Sequence, residues 1–407
     1  MLSVKVAWRN LWRNRRRTLL TAGAVGFAVL LVQLGMSFQA GSYEPMVEVS
    51  TRFASGHLQI QHVDYKDDPR TERFVSNTTE LRSHLLDLPG INAVSNRTES
   101  FGLVNKDERS YGALVVGVDP QIDPSASHFS DQVTQGTYFD SPNSAIIGSA
   151  LARNLRVSVG DEIVILSTDV DGSVAFIAPS VSGIFETGND ALDRSLVQVP
   201  RSLINDALML EDSAHRVVIM IDQPMLPEQS SEVITPLVPS TASLLDWREL
   251  MPEISQSIRL DKISNGIVYG TLTVIVVLSI ANTFVMTMFE RTREFGTLRA
   301  VGMHNRSIFG MFITETILMW MLGVAIGYLL STCALLPLIN IGIGMDSMGM
   351  DQFAGLLFLP DRIYPAVDLK VVLVAPISIG VGMVLSTMLA SIRLYRLSLV
   401  DALRYRE

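Results

Sequence analysis

Residues 290–306, ERTREFGTLRAVGMHNR, lie between two long apolar runs, and their reading decides the fold. Residues 265–289 carry no charge over 25 positions, and residues 307–336 carry one, Glu315. Each run exceeds the roughly 20 apolar residues that cross a bilayer. The 17 residues between them therefore form a short loop on one membrane face. Four are Arg: Arg291, Arg293, Arg299 and Arg306. A loop this small holds no catalytic pocket, but it can form one rigid helix for another protein to grip.

Two further runs are long and apolar enough to span. Residues 18–40 have no charge over 23 positions, and residues 371–392 none over 22. Lys5, Arg9, Arg13, Arg15, Arg16 and Arg17 precede the first, and Arg393, Arg396, Arg404 and Arg406 follow the last. The loop at 340–369 has only Arg362. Basic loops stay in the cytoplasm, so the three basic segments are expected there and the other two loops outside. The spacing predicts an α-helical membrane protein with four transmembrane helices and a large outer α+β domain between the first two. The expected segments are a cytoplasmic amphipathic helix (1–17), a first span (18–40), the outer domain (41–244), a stalk helix plus second span (245–289), a cytoplasmic loop helix (290–306), a third span (307–339), an outer loop (340–369), a fourth span (370–393) and a cytoplasmic tail (394–407).

Composition agrees with a mixed protein, since 48% of the 407 residues are hydrophobic. The net charge of −9 hides an asymmetry: residues 1–40 carry six Lys/Arg and no acids, whereas residues 41–264 carry 32 acids against 16 bases. The acidic middle reads as a solvated surface. The single cysteine, Cys333, excludes an internal disulfide framework or a cysteine metal cluster, and reads as a buried small hydrophobe.

Before the first span, Val4, Trp8, Leu11 and Trp12 share a helical face and arginines crowd the rest. This is an interfacial helix, with Trp8 and Trp12 as anchors and Arg15, Arg16 and Arg17 toward anionic lipid headgroups. Nucleic-acid binding by RNRRR is the less favoured reading, because a span begins at the next residue. The apolar stretch is too long for the h-region of a cleaved signal peptide, about 7–15 residues.

The outer domain alternates short strand and helix signals. Strands are expected at 57–61, 111–118, 163–166, 197–199 and 216–221, and helices at 79–88 and 149–156. It offers little chemistry. His57 and His62 point to opposite faces of one strand and cannot share a metal. The adjacent acid pairs Asp67-Asp68, Asp107-Glu108 and Asp161-Glu162 read as solvated turns. No GxxxxGK[ST] phosphate loop occurs in the sequence. No catalytic, cofactor-binding or metal-ligating residue is assigned.

Trp247, Leu250, Ile254, Ile258 and Asp261 fall on one helical stripe, with Pro252 near its start at a first-turn position. The second span is therefore expected to continue outward as a stiff stalk. Unbroken from 245 to 289, it would measure about 65 Å. Within the spans, Asn282, Thr283 and Glu315 are costly polar groups that should face other helices. Glu315, about 12 Å of helix from Ser307, reads as a structural contact near the cytoplasmic interface rather than a proton relay. Gly323-x-x-x-Gly327 permits close helix packing.

With these residues in view, the chain resembles the FtsX-like ABC transporter permeases, closest to the lipoprotein-releasing (LolC/LolE-type) permeases within the MacB-type mechanotransmission group. The resemblance rests on VAWRNLWRNRRRTLLT at the N-terminus, GHLQIQ (56–61), VVGVDP (115–120), IIGSALARNLRVSVGDEIVI (146–165), SGIFETGNDALD (182–193), DWRELMPEI (246–254), NTFVMTMFERTREFGTLRAVGMHNRSI (282–308) and LVDALRYRE (399–407). It covers nearly the whole chain, and the 282–308 match is the most specific. It implies a multi-pass inner-membrane protein with both termini cytoplasmic and the large domain periplasmic. Residues Glu290, Arg291, Arg293, Glu294, Gly296, Arg299, Ala300 and Gly302 would form a coupling helix that docks on a separate ABC ATP-binding subunit. ATP is bound there, and this chain would carry no cofactor. The stalk residues Trp247, Leu250, Ile254 and Ile258 would pass the motion outward. A second permease, identical or related, would complete the assembly, with a periplasmic carrier or adaptor as a further partner and no nucleic acid. The cargo would be a lipoprotein or other amphipathic substrate. The alternative is a transmembrane regulator that activates a periplasmic partner such as a cell-wall hydrolase. A fused ATPase domain, present in macrolide-efflux relatives, is not expected.

Overall fold

The computed structural model describes residues 2–53, 55–290, 294, 297–298, 301–344 and 362–396. These fall into two compact units. One holds the described residues up to Tyr43, Ile258–Gly344 and those from Arg362 onward; the other holds Glu44–Ser257.

Among the described residues, four helices, each with most of its length in the first unit, are long and apolar enough to cross a membrane: Arg15–Arg52, Pro252–Glu290, Asn305–Ile341 and Leu369–Arg396. A short amphipathic helix, Leu2–Arg13, precedes them. Leu11 of this helix is buried with Val25, Val29, Ile280, Phe284 and Ile379. Thr18 Oγ1 donates to the Leu11 carbonyl at 2.6 Å, tying the short helix to the first long one.

Small residues set the tightest crossing. A Cβ on Gly323 would lie 2.5 Å from Val25 Cβ, and one on Gly327 2.7 Å from Val29 Cβ. One on Gly26 would lie 3.0 Å from the Gly323 carbonyl. The Gly323/Gly327 pair thus brings the first and third spans into backbone contact, as small-residue interfaces do in membranes. The last helix contains Pro376, which has no N–H for the carbonyl of Val372 four residues back. That carbonyl accepts from Tyr328 Oη at 3.0 Å and Gln33 Nε2 at 3.3 Å instead. Trp320 Nε1 donates to the Pro376 carbonyl at 2.9 Å. Side chains from two neighbouring helices therefore repair the helix where its own backbone cannot.

The second unit is built on an 11-stranded sheet. Its strands, with a separate two-stranded pair included, are β1 (Leu58–His62), β2 (Val75–Ser76), β3 (Ile91–Lys106), β4 (Arg109–Val118), β5 (Val133–Gly136), β6 (Ser144–Gly148), β7 (Val164–Thr168), β8 (Val174–Ile177), β9 (Ser180–Phe185), β10 (Leu196–Pro200), β11 (Ser213–Ala214), β12 (Arg216–Ile221) and β13 (Ala242–Asp246). Strands β13, β1, β12 and β3 run in that order, every pair antiparallel. A helix, Thr78–Leu86, connects β1 to β3, and another, Pro227–Ile234, connects β12 to β13. This is the split βαβ arrangement of ferredoxin-like folds. Leu58, Ile60, Val217 and Ile219 form its core against Leu81, Leu85 and Ile234.

Strands β4 to β10 are inserted between β3 and β12. Strand β3, 16 residues long, belongs to both halves: its Ile91–Arg97 portion pairs with β12 and its Thr98–Lys106 portion with β4. In the inserted half, β10 lies parallel to β4 and antiparallel to β6, and Val115, Ile147, Leu151, Leu155, Val197 and Ile204 share one core.

The sheet's remaining face is apolar where Val116, Val118, Phe129, Ile146 and Phe185 cluster, and polar around Arg97. Arg97 Nε lies 3.1 Å from Asp123 Oδ1, with side chains 3% and 0% exposed. Ser95 Oγ and Ser127 Oγ also donate to Asp123. Asp123 thus balances the buried guanidinium and is itself satisfied by two hydroxyls.

The five expected strands all lie in or over strands of this sheet, and the expected helices form Thr78–Leu86 and Ser149–Leu155. The second span continues outward as far as Pro252, which takes the expected first-turn position, but residues 245–251 of the expected stalk segment are not part of that helix. Trp247–Leu250 is a separate short helix, capped by the Asp246 carboxylate on the N–H groups of Arg248 and Glu249. The long helix begins at Pro252, and Met251 between them is non-helical (φ −127°, ψ 67°). Pro252 is the cause: it excludes the helical region for the residue before it, while its own fixed φ suits a first helical position. Cys333, expected buried, is exposed in the isolated chain.

Candidate coupling site

The loop read as the coupling segment joins two of the long helices, and its charges decide how it is held. Arg13, the last residue of the amphipathic helix, donates from Nη2 to Glu294 Oε1 at 2.8 Å. Arg17, in the first turn of the next helix, donates from Nη1 to Glu290 Oε2 at 3.2 Å. Leu298 packs on a cluster of Met288, Ile308, Met311 and Phe312 at the ends of the two helices flanking the loop. Among the described residues, ion pairs thus hold Glu290 and Glu294, and an apolar cluster holds Leu298.

The end of the loop is a helix stop written in glycine. Gly302 has φ +101°, which an L side chain rarely adopts. The N–H of Met303 donates to the Leu298 carbonyl at 2.9 Å, and that of Val301 to Thr297 at 3.0 Å. The first is the six-to-one bond of a Schellman cap, with Gly302 as its left-handed residue. The turn frees the chain to start Asn305–Ile341 directly afterward.

Of the expected site residues, Glu290 and Glu294 are brought against the N-terminal arginines, and Gly302 forms the cap. Arg291, Arg293, Gly296, Arg299 and Ala300 lie outside the described residues. Trp8 and Trp12 are exposed and meet edge to face, ring centroids 6.0 Å apart. Arg15 and Arg16 are exposed, whereas Arg17 turns to Glu290. Glu315 is 3% exposed, beside a buried Thr316–Thr387 hydroxyl pair at 3.0 Å. Thr283 Oγ1 donates to the Ser279 carbonyl of its own helix at 3.1 Å. Asn282 is exposed in the isolated chain rather than turned to another of its helices. Trp247 is buried and donates from Nε1 to the Pro224 carbonyl at 2.8 Å; Ile254 and Ile258 are buried and Leu250 is half-buried. Arg13 and Leu298 were not singled out by sequence reasoning. Opposite charges on two segments assigned to the same membrane face were the signal available for Arg13.

The second unit has its own charged joint. Glu48, beyond the apolar part of the first long helix, lies 2.8 Å from His57 Nε2 and 2.9 Å from Arg52. The Ile221 N–H donates to His57 Nδ1 at 3.0 Å. Burial would raise the Glu48 carboxyl, but the hydrogen bonds and charges of His57 and Arg52 outweigh it and bring it down to about 2. His57 is thus a structural partner of Glu48. Among the described residues, no group of three or more His, Cys, Asp or Glu side chains is placed to hold a metal.

Four spanning helices, a large α+β unit between the first and second, and a short clamped loop after the second define a multi-pass permease. The family described as MacB-like periplasmic core domain matches residues 18–237, just over half of the chain, and the FtsX-like permease C-terminal family matches residues 266–399. The chain belongs to the FtsX-like permeases with a MacB-like periplasmic core domain, the ABC permeases of the FtsX, MacB and LolC/LolE type. It is 23% identical to the lipoprotein-releasing system transmembrane protein LolE of Haemophilus influenzae, covering 88% of this chain and 87% of that one. It is 25% identical to the pyoverdine export ATP-binding/permease protein PvdT of Pseudomonas fluorescens, over 79% of this chain and 50% of that one. The chain spans about half the length of the ATP-binding/permease relatives it matches. The periplasmic region of MacB from Actinobacillus actinomycetemcomitans aligns at 14% identity and a TM-score of 0.35, over 50% of this chain and 92% of that one.

Proposed function

We propose that this chain is the membrane subunit of a mechanotransmission-type ABC transporter. A separate ATP-binding subunit docks on the 290–306 loop, and its closure is passed to the periplasmic domain, where a lipoprotein or other amphipathic substrate is released or exported. The observation that carries this reading is the clamped loop. Its glutamates are held by Arg13 and Arg17 and its Leu298 by the ends of two spanning helices, so a push on it moves the spans. Similarity over nearly nine-tenths of a relative named as a lipoprotein-releasing protein supports the cargo class. Both termini and the loop lie in the cytoplasm in this reading, and a second permease, a copy or a relative, completes the assembly.

The test is purification of the tagged chain from its native membrane at native expression. An ATP-binding subunit and a periplasmic lipoprotein carrier among the co-purifying chains are expected. Recovery of the chain without an ATP-binding subunit overturns the reading. A peptidoglycan hydrolase in place of the carrier turns it from transport to regulation.

A further inference from the structure

A cavity of about 250 Å³ opens in the membrane unit where the first, third and fourth spans meet. Leu335, Leu336, Val371 and Val372 give it apolar walls, and Gln33 and Tyr328 supply polar groups. Gln33 is 2% exposed. Its Nε2 is committed to the Val372 carbonyl left open by Pro376, whereas its Oε1 has no hydrogen-bond partner among the described residues. Tyr328 Oη is committed to the Val372 carbonyl, and Ser331 Oγ to the Tyr328 carbonyl at 3.2 Å, while the exposed Thr332 also lines the cavity. The buried polar atom of the cavity lining that lacks a partner is therefore an acceptor, and it asks for a donor. Leaving a buried amide oxygen unpaired is unfavourable, and a ligand that supplies an O–H or N–H removes that penalty.

Size and depth narrow the ligand. A helix is at least about 10 Å wide with its side chains, so the cavity would hold only some two residues of one, and a second copy's helix does not fit inside. Gln33 lies seven residues before Ala40, about 10 Å of helix within the span. A donor must therefore sit close to the apolar chain that carries it.

We propose that this cavity binds a bilayer lipid carrying a hydroxyl or amide N–H beside its acyl chain. The donor pairs with Gln33 Oε1 and the chain lies along Leu335 and Val371. This goes beyond the coupling role and does not depend on it.

The test uses the full chain in detergent micelles, with binding of 1-monooleoylglycerol and of methyl oleate read by native mass spectrometry. The two share a chain, and the ester has no donor. Monooleoylglycerol is expected to bind at least tenfold more tightly. Gln33→Leu should reduce that preference to less than twofold, and Leu335→Trp, which fills the cavity, should abolish binding of both. Equal binding of the two lipids to the unaltered chain overturns the proposal. So does a preference that survives Gln33→Leu, or monooleoylglycerol binding that Leu335→Trp leaves unchanged, which is partition into the micelle. Should Gln33→Leu fail to fold, the unaltered chain and Leu335→Trp decide alone.

Discussion

Arg13 and Glu294 are 281 positions apart in sequence, and their side chains meet at 2.8 Å. Both are about half exposed, 54% and 45%. An exposed pair of this kind contributes about 0–1 kcal/mol, so its effect on stability is small. Its effect is on position: with Arg17–Glu290 it holds the loop beside the amphipathic helix. A change at either residue should alter what the loop does far more than whether the chain folds.

The crossing at Gly323 and Gly327 makes a sharper demand on packing. Gly327→Leu forces a side chain into Val29 and should lower the melting temperature of the full chain in detergent, through overpacking of about 1–3 kcal/mol or more. Gly310, on the same helix, has nothing within 4 Å of an added Cβ, so Gly310→Leu should melt like the unaltered chain. Equal melting of the two variants would remove the crossing from the account.

Asp123 is the counter-charge of a buried arginine. Asp123→Ala leaves the Arg97 guanidinium without its carboxylate and should cost about 3–5 kcal/mol in the outer unit. Hydrogen exchange in the β3 and β12 amides should rise accordingly, and unaltered protection would contradict the pairing.

On the acid side, His215 and Glu48 give the outer unit a pH dependence in two separate windows. His215 Nδ1 accepts the Glu99 N–H at 3.0 Å, and its Nε2 faces the Thr71 carbonyl at 3.1 Å, an arrangement the neutral ring fills. Burial holds its pKa below the ordinary 6.5, with Arg216 adding to the effect. The unfolded chain then binds more protons below about pH 6.5, so stability falls as pH drops through that value. Glu48 is lowered from 4.5 to about 2, so its contribution is present above about pH 4.5 and is lost toward pH 2. Thermal melting should therefore decline in two stages on acidification, the first removed by His215→Gln and the second, to which Asp212 and Glu228 also contribute, made smaller by Glu48→Gln. A profile that the variants leave unchanged would refute these assignments.

The spans were legible because apolar length is read directly from sequence, and charge at their flanks separated the loops. Strand β3 was not. Ser95, Asn96, Arg97, Thr98, Glu99 and Ser100 are all buried in it, so neither face carries the alternation that marks a half-buried strand. Its polar groups are satisfied by residues distant in sequence, such as Asp123 and Asn205, which no local pattern shows. In the stalk, Pro252 is legible as a first-turn residue, but the Trp247–Ile258 periodicity runs across it and so carries the expected segment back to 245, past the start of the helix. In the loop, Glu290 and Glu294 are visible as charges, but pairing Glu294 with Arg13 requires the fold. Arg17, expected toward lipid headgroups, lies 3.2 Å from Glu290.

A loop that receives the work of ATP hydrolysis, as proposed, sets the ATPase rate of the reconstituted complex. Glu294→Arg and Arg13→Glu should each lower the permease-stimulated rate about tenfold with the complex still assembled. The double exchange, Arg13→Glu with Glu294→Arg, restores opposite charges and should recover at least half of it. Stimulated rates that stay at the unaltered level in both single variants, with assembly intact, would contradict the account.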